Sequence, residues 1–408
     1  MKTVLCLDYY FPPLSGAWVG GFKFIRFLPE HGWKPIVVSA DESVAYQKDY
    51  SLLPHVPKKI DVHRVGHAPA CRAWQRLRRK LKLAWDFPDS VKDWYQPALH
   101  EARWILRREP VDLIFSASPS FTTACVAWQL RQEFNIPWIA EFQDAWSSND
   151  YLRLALQQSA VRPLRSRLLN RIRTKEGLIL RGADRVVVIH ETLRHDLIAA
   201  HQVSPEKLTL ITDGYCESDF TTIRPRLLYP EVPNVVFLGS AYTGYRELAL
   251  SFCRALACAT PAAEVVFIGR GSAAMEGTSL TSLTLISNLP KEKALAFGAG
   301  AQFLLLIVLP TAKWHTPSKL YDYLRLGRPI LAVVPPDGDA ARLITTTRAG
   351  FVLSYDAETM CQQLQDIIQG NRLAEFQPNR QLIAQYERGP LTAQMIRTFN
   401  EVCGKTSG

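Results

Sequence analysis

Lys319 is a cation in an unfavourable place. The run Trp314-His315-Thr316-Pro317-Ser318-Lys319-Leu320-Tyr321-Asp322-Tyr323-Leu324-Arg325-Leu326-Gly327-Arg328-Pro329 predicts a helix. Thr316 is its expected N-cap, Pro317 its first residue and Gly327 its left-handed stop. A lysine in the first turn faces the positive end of the helix dipole, at a cost of roughly several tenths of a kcal/mol. An anion at the helix N-terminus reverses that sign, because Lys319 and the free N–H groups then attract the same ligand. Asp322, three residues on, shares the face and can accept hydrogen bonds from hydroxyls. Phosphate beside sugar hydroxyls describes a nucleotide; the plain alternative is a surface lysine pointing to water.

Other candidates sit just after apolar runs. Gly16 and Gly20 belong to Phe11-Pro12-Pro13-Leu14-Ser15-Gly16-Ala17-Trp18-Val19-Gly20-Gly21, a glycine loop before a helix. Such a loop lets backbone approach a phosphate, or is simply a turn. It has neither the Walker nor the dinucleotide glycine spacing. Asp144, in Glu141-Phe142-Gln143-Asp144-Ala145-Trp146, can orient a sugar hydroxyl, act as a base, or cap the following helix. His190 can bond an acceptor or a phosphate, or be an ordinary loop residue. Gly239 and Ser240 end one run and Gly269 another, while Arg246 is a plausible diphosphate partner. Asp337-Gly338-Asp339 spells an Asp-x-Asp, but Asp339 reads as the N-cap of the next helix. Neither a Ser-His-Asp spacing nor a metal-ligand cluster is visible.

The elements that must position these residues alternate. Strands are expected at 4–7, 35–39, 61–65, 112–116, 137–140, 185–189 and 208–211, with helices between them and a single helix from Phe22 to His31. Residues 70–100 interrupt the pattern as a basic insertion or helical flap. After the proline-rich stretch 221–233, strands resume at 234–238, 264–268, 284–287, 303–309, 330–334 and 350–353. A helix from Glu358 to Ile368 and another from about Arg380 to Val402 close the chain. Strands alternating with helices predict an α/β fold: two doubly wound, Rossmann-like parallel sheets covered on both faces, with a cleft between facing strand ends.

Length and composition agree. At 408 residues the chain exceeds one ordinary core, and 47% apolar with 21% charged residues excludes a disordered chain. The 8 cysteines are scattered without Cys-x-x-Cys, which points away from zinc modules and disulfide frameworks and toward a reducing cytoplasm. Residues 1–8 lack the apolar core of a signal peptide, and no apolar run approaches a membrane span. The net charge of +10 concentrates in 72–82 and 162–185. Those segments suit an anionic membrane surface or acidic acceptor, or are solvated helix faces. No nucleic-acid-binding signature accompanies the charge.

In this order the pieces resemble family 4 (group 1) glycosyltransferases of the two-Rossmann-domain GT-B type. The resemblance is carried by Tyr10-Phe11-Pro12-Pro13 with the glycine loop, Leu28-Pro29-Glu30-His31-Gly32-Trp33, the block from Glu141 to Trp146, Gly182-Ala183-Asp184-Arg185-Val186, Ile211-Thr212-Asp213-Gly214-Tyr215, and Pro317-Ser318-Lys319-Leu320-Tyr321-Asp322-Tyr323-Leu324. The last of these points to the Pro-Ser-Lys subgroup. The resemblance implies an acceptor-binding domain over 1–220, a linker at 221–233 and a nucleotide-sugar-binding domain over 234–380. A C-terminal helix over 381–408 would cross back to the first domain. It implies a retaining, metal-independent, hexosyltransferase-type enzyme with no cofactor, whose donor is a nucleotide-sugar and whose acceptor is a carbohydrate or lipid-linked sugar in surface polysaccharide or glycolipid assembly. Asp322 matches the second glutamate of the family's paired-glutamate motif, which holds ribose hydroxyls; the first falls at Trp314 and is missing. Arg246 approximately matches a diphosphate-binding basic residue, and Ser240 replaces the usual arginine. The expected donor contacts are therefore Gly16, Gly20, Gly239, Ser240, Arg246, Gly269, Lys319 and Asp322, with Asp144 and His190 as catalytic candidates. A cytoplasmic protein, peripheral on the inner face of the plasma membrane, fits these expectations. Competing readings are a nucleotide-sugar epimerase or hydrolase on the same fold, and a non-catalytic binding protein that keeps it.

Overall fold

A strand buried on both faces must lie inside a covered parallel sheet, and Lys2–Leu7 is buried from Thr3 onward. A computed structural model of the chain describes all residues except 15–20, 45–47, 69–88, 145, 150–151, 154–155, 157–161, 240–244, 270–282, 288, 371 and 406–408. Gly16, Gly20, Ser240 and the basic segment 72–82 therefore lie outside the described residues. The chain divides into two units, Met1–Ile211 with Thr392–Gly408, and Thr212–Leu391.

Among the described residues the first unit holds a seven-stranded parallel sheet in the order β3-β2-β1-β4-β5-β6-β7. Its strands are β1 (Lys2–Leu7), β2 (Trp33–Ala40), β3 (Asp61–Val65), β4 (Leu113–Ser116), β5 (Trp138–Phe142), β6 (Arg185–Val188) and β7 (Leu208–Leu210). The helices are α1 (Phe22–Ile25), α2 (Tyr95–Leu106), α3 (Phe121–Phe134), α4 (Arg165–Gly182) and α5 (Glu191–His201). Leu5 is in register with Ile36 on one side and Ile114 on the other, so the order of strand addition reverses at β1. The expected helix from Phe22 to His31 is instead the short α1 followed by a 3-10 turn, Leu28–His31, with Pro29 inside it and left-handed Gly32 as its stop. Proline cannot donate the N–H an α-helix would need there.

The basic helix α4 buries Leu168, Ile172, Ile179 and Leu180. Glu176 is also buried, accepting the Trp146 and Ser147 N–H groups at 3.2 and 3.3 Å and pairing with His201 Nε2 at 2.8 Å. One acid in a basic helix thus anchors the loop that follows β5, where Trp146 also stacks on Phe121 at 4.4 Å.

The second unit holds, among the described residues, a six-stranded parallel sheet ordered β10-β9-β8-β11-β12-β13. These are β8 (Asn234–Leu238), β9 (Glu264–Ile268), β10 (Leu283–Ile286), β11 (Phe303–Ile307), β12 (Ile330–Val333) and β13 (Gly350–Leu353). The helices α6 (Tyr245–Ala259), α7 (Lys291–Gly300), α8 (Ser318–Leu326), α9 (Asp339–Thr347) and α10 (Ala357–Ile368) follow them. Side chains alternate between two cores: Val236, Leu238 and Leu304 enter one, Val235, Phe237 and Leu305 the other. Tyr215 and Phe220 pack into the first of these cores, which is why the second unit begins at Thr212 and not after 220.

Three local expectations need correction. Pro317 is the N-cap of α8 and Ser318 its first residue, because Pro317 is extended at φ −58°, ψ 137°. Gly338, not Asp339, caps α9, leaving Asp339 as the acid of the first turn, paired with Arg342 at 3.1 Å. The terminal helix is two helices, α11 (Arg380–Ala384) and α12 (Arg388–Lys405). They separate because Tyr386 C=O accepts from Tyr215 N–H at 3.0 Å and Tyr215 C=O from Arg388 N–H at 2.9 Å. The later part of α12 belongs to the first unit, where Phe399 packs edge-on against Trp33 at 5.4 Å and lies 5.5 Å from Phe115.

Candidate functional site

In doubly wound sheets ligands gather beyond the carboxyl ends of the strands, where strand order reverses. In the second unit that place lies past β8. Gly239 and Gly269 follow β8 and β9 with φ +114° and +140°, a region side chains avoid. Their N–H groups continue the ladder, Gly239 to Ile268 C=O at 2.8 Å and Gly269 to Ile286 C=O at 3.1 Å. A Cβ on Gly269 would stand 2.4 Å from Gly239 O, and one on Gly239 would stand 3.0 Å from Lys319 Nζ. Two absent side chains thus let two strand ends and the first turn of α8 meet. Gly239, Gly269 and Lys319 are brought together.

Helix α8 is aimed by its own sequence. The Tyr323 hydroxyl accepts from Leu238 N–H at 2.8 Å, beyond the last β8–β11 partners, Val236 and Leu304. Leu320, Tyr321, Tyr323 and Leu324 are buried, which leaves Lys319 and Asp322 on the partly exposed side.

Burial pulls the Lys319 ammonium down to about 7. Its Nζ lies 3.8 Å from the centre of the Phe237 ring, a cation–π contact. Among the described residues it has no ion pair or hydrogen bond. One turn earlier, burial and then Lys319 hold the His315 imidazole down at about 4, so it is neutral near pH 7. Its Nδ1 is buried without a hydrogen-bond partner. A desolvated cation and a neutral imidazole here suit anionic oxygens.

Asp322 is not an open carboxylate. Its side chain is 17% exposed, and Oδ1 lies 3.2 Å from Lys291 Nζ. Lys291, the first residue of α7, also pairs with Asp219 at 2.8 Å. Burial raises the Asp322 pKa and Lys291 opposes the rise. Among the described residues Lys291 is the one partner of Asp322. Arg246 sits in the first turn of α6, partly exposed, just after 240–244.

The first unit carries a second cluster at its own reversal point. Asp8, directly after β1, is 1% exposed and accepts Tyr10 N–H at 3.2 Å. Burial, then Glu141, push its carboxyl up to about 7. Glu141 is buried against Lys23 Nζ at 3.2 Å and accepts Ser118 N–H at 3.3 Å. A Cβ on Gly21 would stand 2.7 Å from Ala117 Cβ, so this glycine sets how closely α1 approaches the end of β4. Asp144 follows β5; burial raises it to about 6, and Lys23 works against that rise. His190 is buried after the neighbouring β6 and is the N-cap residue of α5. Sequence reasoning missed Asp8, Lys23, Lys291 and the part played by His315. Asp8 had a visible signal, a lone acid ending an apolar strand.

Among the described residues no group of three or more His, Cys, Asp or Glu could hold a metal ion. Nor is any described helix long and apolar enough to cross a membrane.

Residues 23–214 match the model of the glycosyl transferase 4-like domain. No curated protein sequence matches the chain. Among solved structures it is similar to HepE (Alr3699) of Anabaena, crystallised with UDP and glucose. That match has a TM-score of 0.65 and 14% identity, over 98% of this chain and all of that one. WaaG, a glycosyltransferase involved in lipopolysaccharide biosynthesis, matches at TM-score 0.55 and 14% identity, over 98% of this chain and 94% of that one. A Listeria monocytogenes protein described as a UDP-N-acetylglucosamine 2-epimerase matches at TM-score 0.56 and 11% identity, over 97% and 95%. At these identities the likeness is one of fold.

Proposed function

We propose that this chain, whose residues 23–214 match the glycosyl transferase 4-like domain and whose fold is similar to that of solved glycosyltransferases, moves a sugar from a nucleoside-diphosphate sugar held at the strand ends of the second unit. The observation that carries this reading is Lys319, desolvated, lying against Gly239 and without an anionic partner among the described residues. As the bond between sugar and diphosphate breaks, negative charge grows on the leaving phosphate. A cation fixed in a low-dielectric setting lowers that barrier, and the N-terminal N–H groups of α8 add to it. Gly239 and Gly269 hold positive φ and carry no Cβ, so phosphate or ribose can approach their backbone beside Lys319. The His315 imidazole can donate one N–H, and Arg246 and Ser240 are assigned to the diphosphate. Lys291 holds one oxygen of Asp322 and the other accepts the ribose hydroxyls.

The first unit takes the acceptor, with Asp144 and His190 following the adjacent strands β5 and β6. Transfer retains the anomeric configuration and needs no metal, as the resemblance to family 4 implies. NMR of the nascent product tests the stereochemistry. EDTA should leave turnover within about twofold if Lys319 and α8 neutralise the diphosphate; a larger loss overturns metal independence. The acceptor is a growing surface polysaccharide or glycolipid. Arg167, Arg171, Arg173 and Arg181 are exposed on α4 with Leu164 and Leu178 among them, a composition suited to the anionic inner face of a plasma membrane.

The decisive experiment is a thermal-shift screen of nucleotide-sugars on wild type and Lys319→Ala. A ligand binding only the native state raises the melting temperature, and the shift should vanish in the variant. A full shift in Lys319→Ala sinks the reading. The likeness in fold to the 2-epimerase keeps one other reading: donor incubated alone should return unchanged, whereas an epimer would favour isomerisation.

A further inference from the structure

Cys258 and Cys361 are reduced thiols on different helices, yet their Sγ atoms stand 2.7 Å apart. A disulfide bond measures about 2.05 Å, so little movement separates the contact from a covalent link. Cys258 lies in the last turn of α6 and is exposed; Cys361 lies in α10 and is buried. The two helices are held side by side next to the pair, for Gln369 Nε2 donates to Ala259 C=O at 2.7 Å. On α10, Met360 and Leu364 are buried in the same core as Phe252 and Leu256 of α6. An accessible thiol backed by a buried one has the layout of an attacking and a resolving cysteine.

We propose that Cys258 and Cys361 form a thiol modification site that takes a low-molecular-weight disulfide as its substrate and closes to an intramolecular disulfide between α6 and α10. The Cys258 thiolate attacks one sulfur of the small disulfide, giving a mixed disulfide and expelling one thiolate. The Cys361 thiol gives up its proton and its sulfur attacks Sγ of Cys258, expelling the second thiolate. Two protein thiols are oxidised and one small disulfide is reduced to two thiols. The link ties residues 103 positions apart, so it removes much freedom from the unfolded chain. Cys258 lies at the opposite end of α6 from Arg246.

The test incubates the full-length chain with oxidised glutathione and reads it three ways. Digestion without reductant followed by mass spectrometry should find the two cysteine peptides joined, and the count of titratable thiols should fall by two. The melting temperature should rise by about 4 °C or more and return when dithiothreitol is added. Cys361→Ser should stop at the mixed disulfide and carry a glutathione adduct on Cys258; Cys258→Ser should acquire neither link nor adduct at Cys361. Because Cys258 is exposed, its serine variant should melt where the reduced wild type does. A stable glutathione adduct on wild-type Cys258 with Cys361 still titratable overturns the proposal, as does a chain that stays fully reduced.

Discussion

A lysine that loses water on folding couples binding to protons. With Lys319 drawn to about 7 and an unfolded lysine near about 10.4, the unfolded state binds more protons between those values. Stability therefore rises with pH across that window, and Lys319→Met should abolish that part of the rise in chemical denaturation at pH 7 and 9. An anionic diphosphate reverses the balance by favouring the ammonium. At pH 8 binding should take up a proton, seen as calorimetric heats that depend on buffer ionisation, and affinity should fall as pH climbs from 7. Lys319→Ala should lose that dependence and cut turnover by about 100-fold or more without lowering the melting temperature. Asp322 and Lys291 belong to the same scale. Lys291→Met should weaken a ribonucleoside diphosphate more than its 2′-deoxy counterpart, and adding Asp322→Ala should cost little further, measured as a double-mutant cycle. Full additivity would mean that Lys291 does not hold Asp322. The positions of Lys319 and Asp322 on one helix, and of Gly239 and Gly269 at strand ends, were legible because dipole sign and turn chemistry are local. Lys291 was not, since its meeting with Asp322 depends on how α7 and α8 pack.

At the scale of elements, α8 is aimed by one hydrogen bond and one pair of glycines. Tyr323→Phe leaves a buried N–H at Leu238 unpaired, which should destabilise by about 1–3 kcal/mol and loosen donor binding; urea denaturation and a binding titration read the two effects. Gly239→Ala is strained at φ +114° and crowds Lys319 at 3.0 Å, so its donor affinity should fall more than its melting point. Every stretch read as a strand is one: the inner strands are buried on both faces and leave a continuous apolar signal, whereas the edge strands β3 and β10 hold no buried residue. Boundaries were less legible. Pro317 permits either side of a helix start, and the break between α11 and α12 is made by Tyr215, far away in sequence. The part played by Glu176 likewise depends on the distant loop that it anchors.

For the whole molecule, the chain passes from one unit to the other twice, after Ile211 and after Leu391. Removing residues 388–408 should expose Trp33 and Phe115, which Phe399 packs against, and lower the apparent stability of the first sheet, followed by tryptophan fluorescence in urea. If that signal melts as in the full chain, α12 contributes nothing to the sheet. The two-sheet plan was readable from periodicity, whereas the return of α12 was read only by resemblance, since an amphipathic helix does not announce which core it will cover. Topologically, Thr212–Leu391 is an insert within the first unit. Domains emerging from the ribosome usually fold in the order they are made, but here the half synthesised first must wait for α12, which is made after the second unit. During synthesis the second unit can be finished while its elder neighbour is still open.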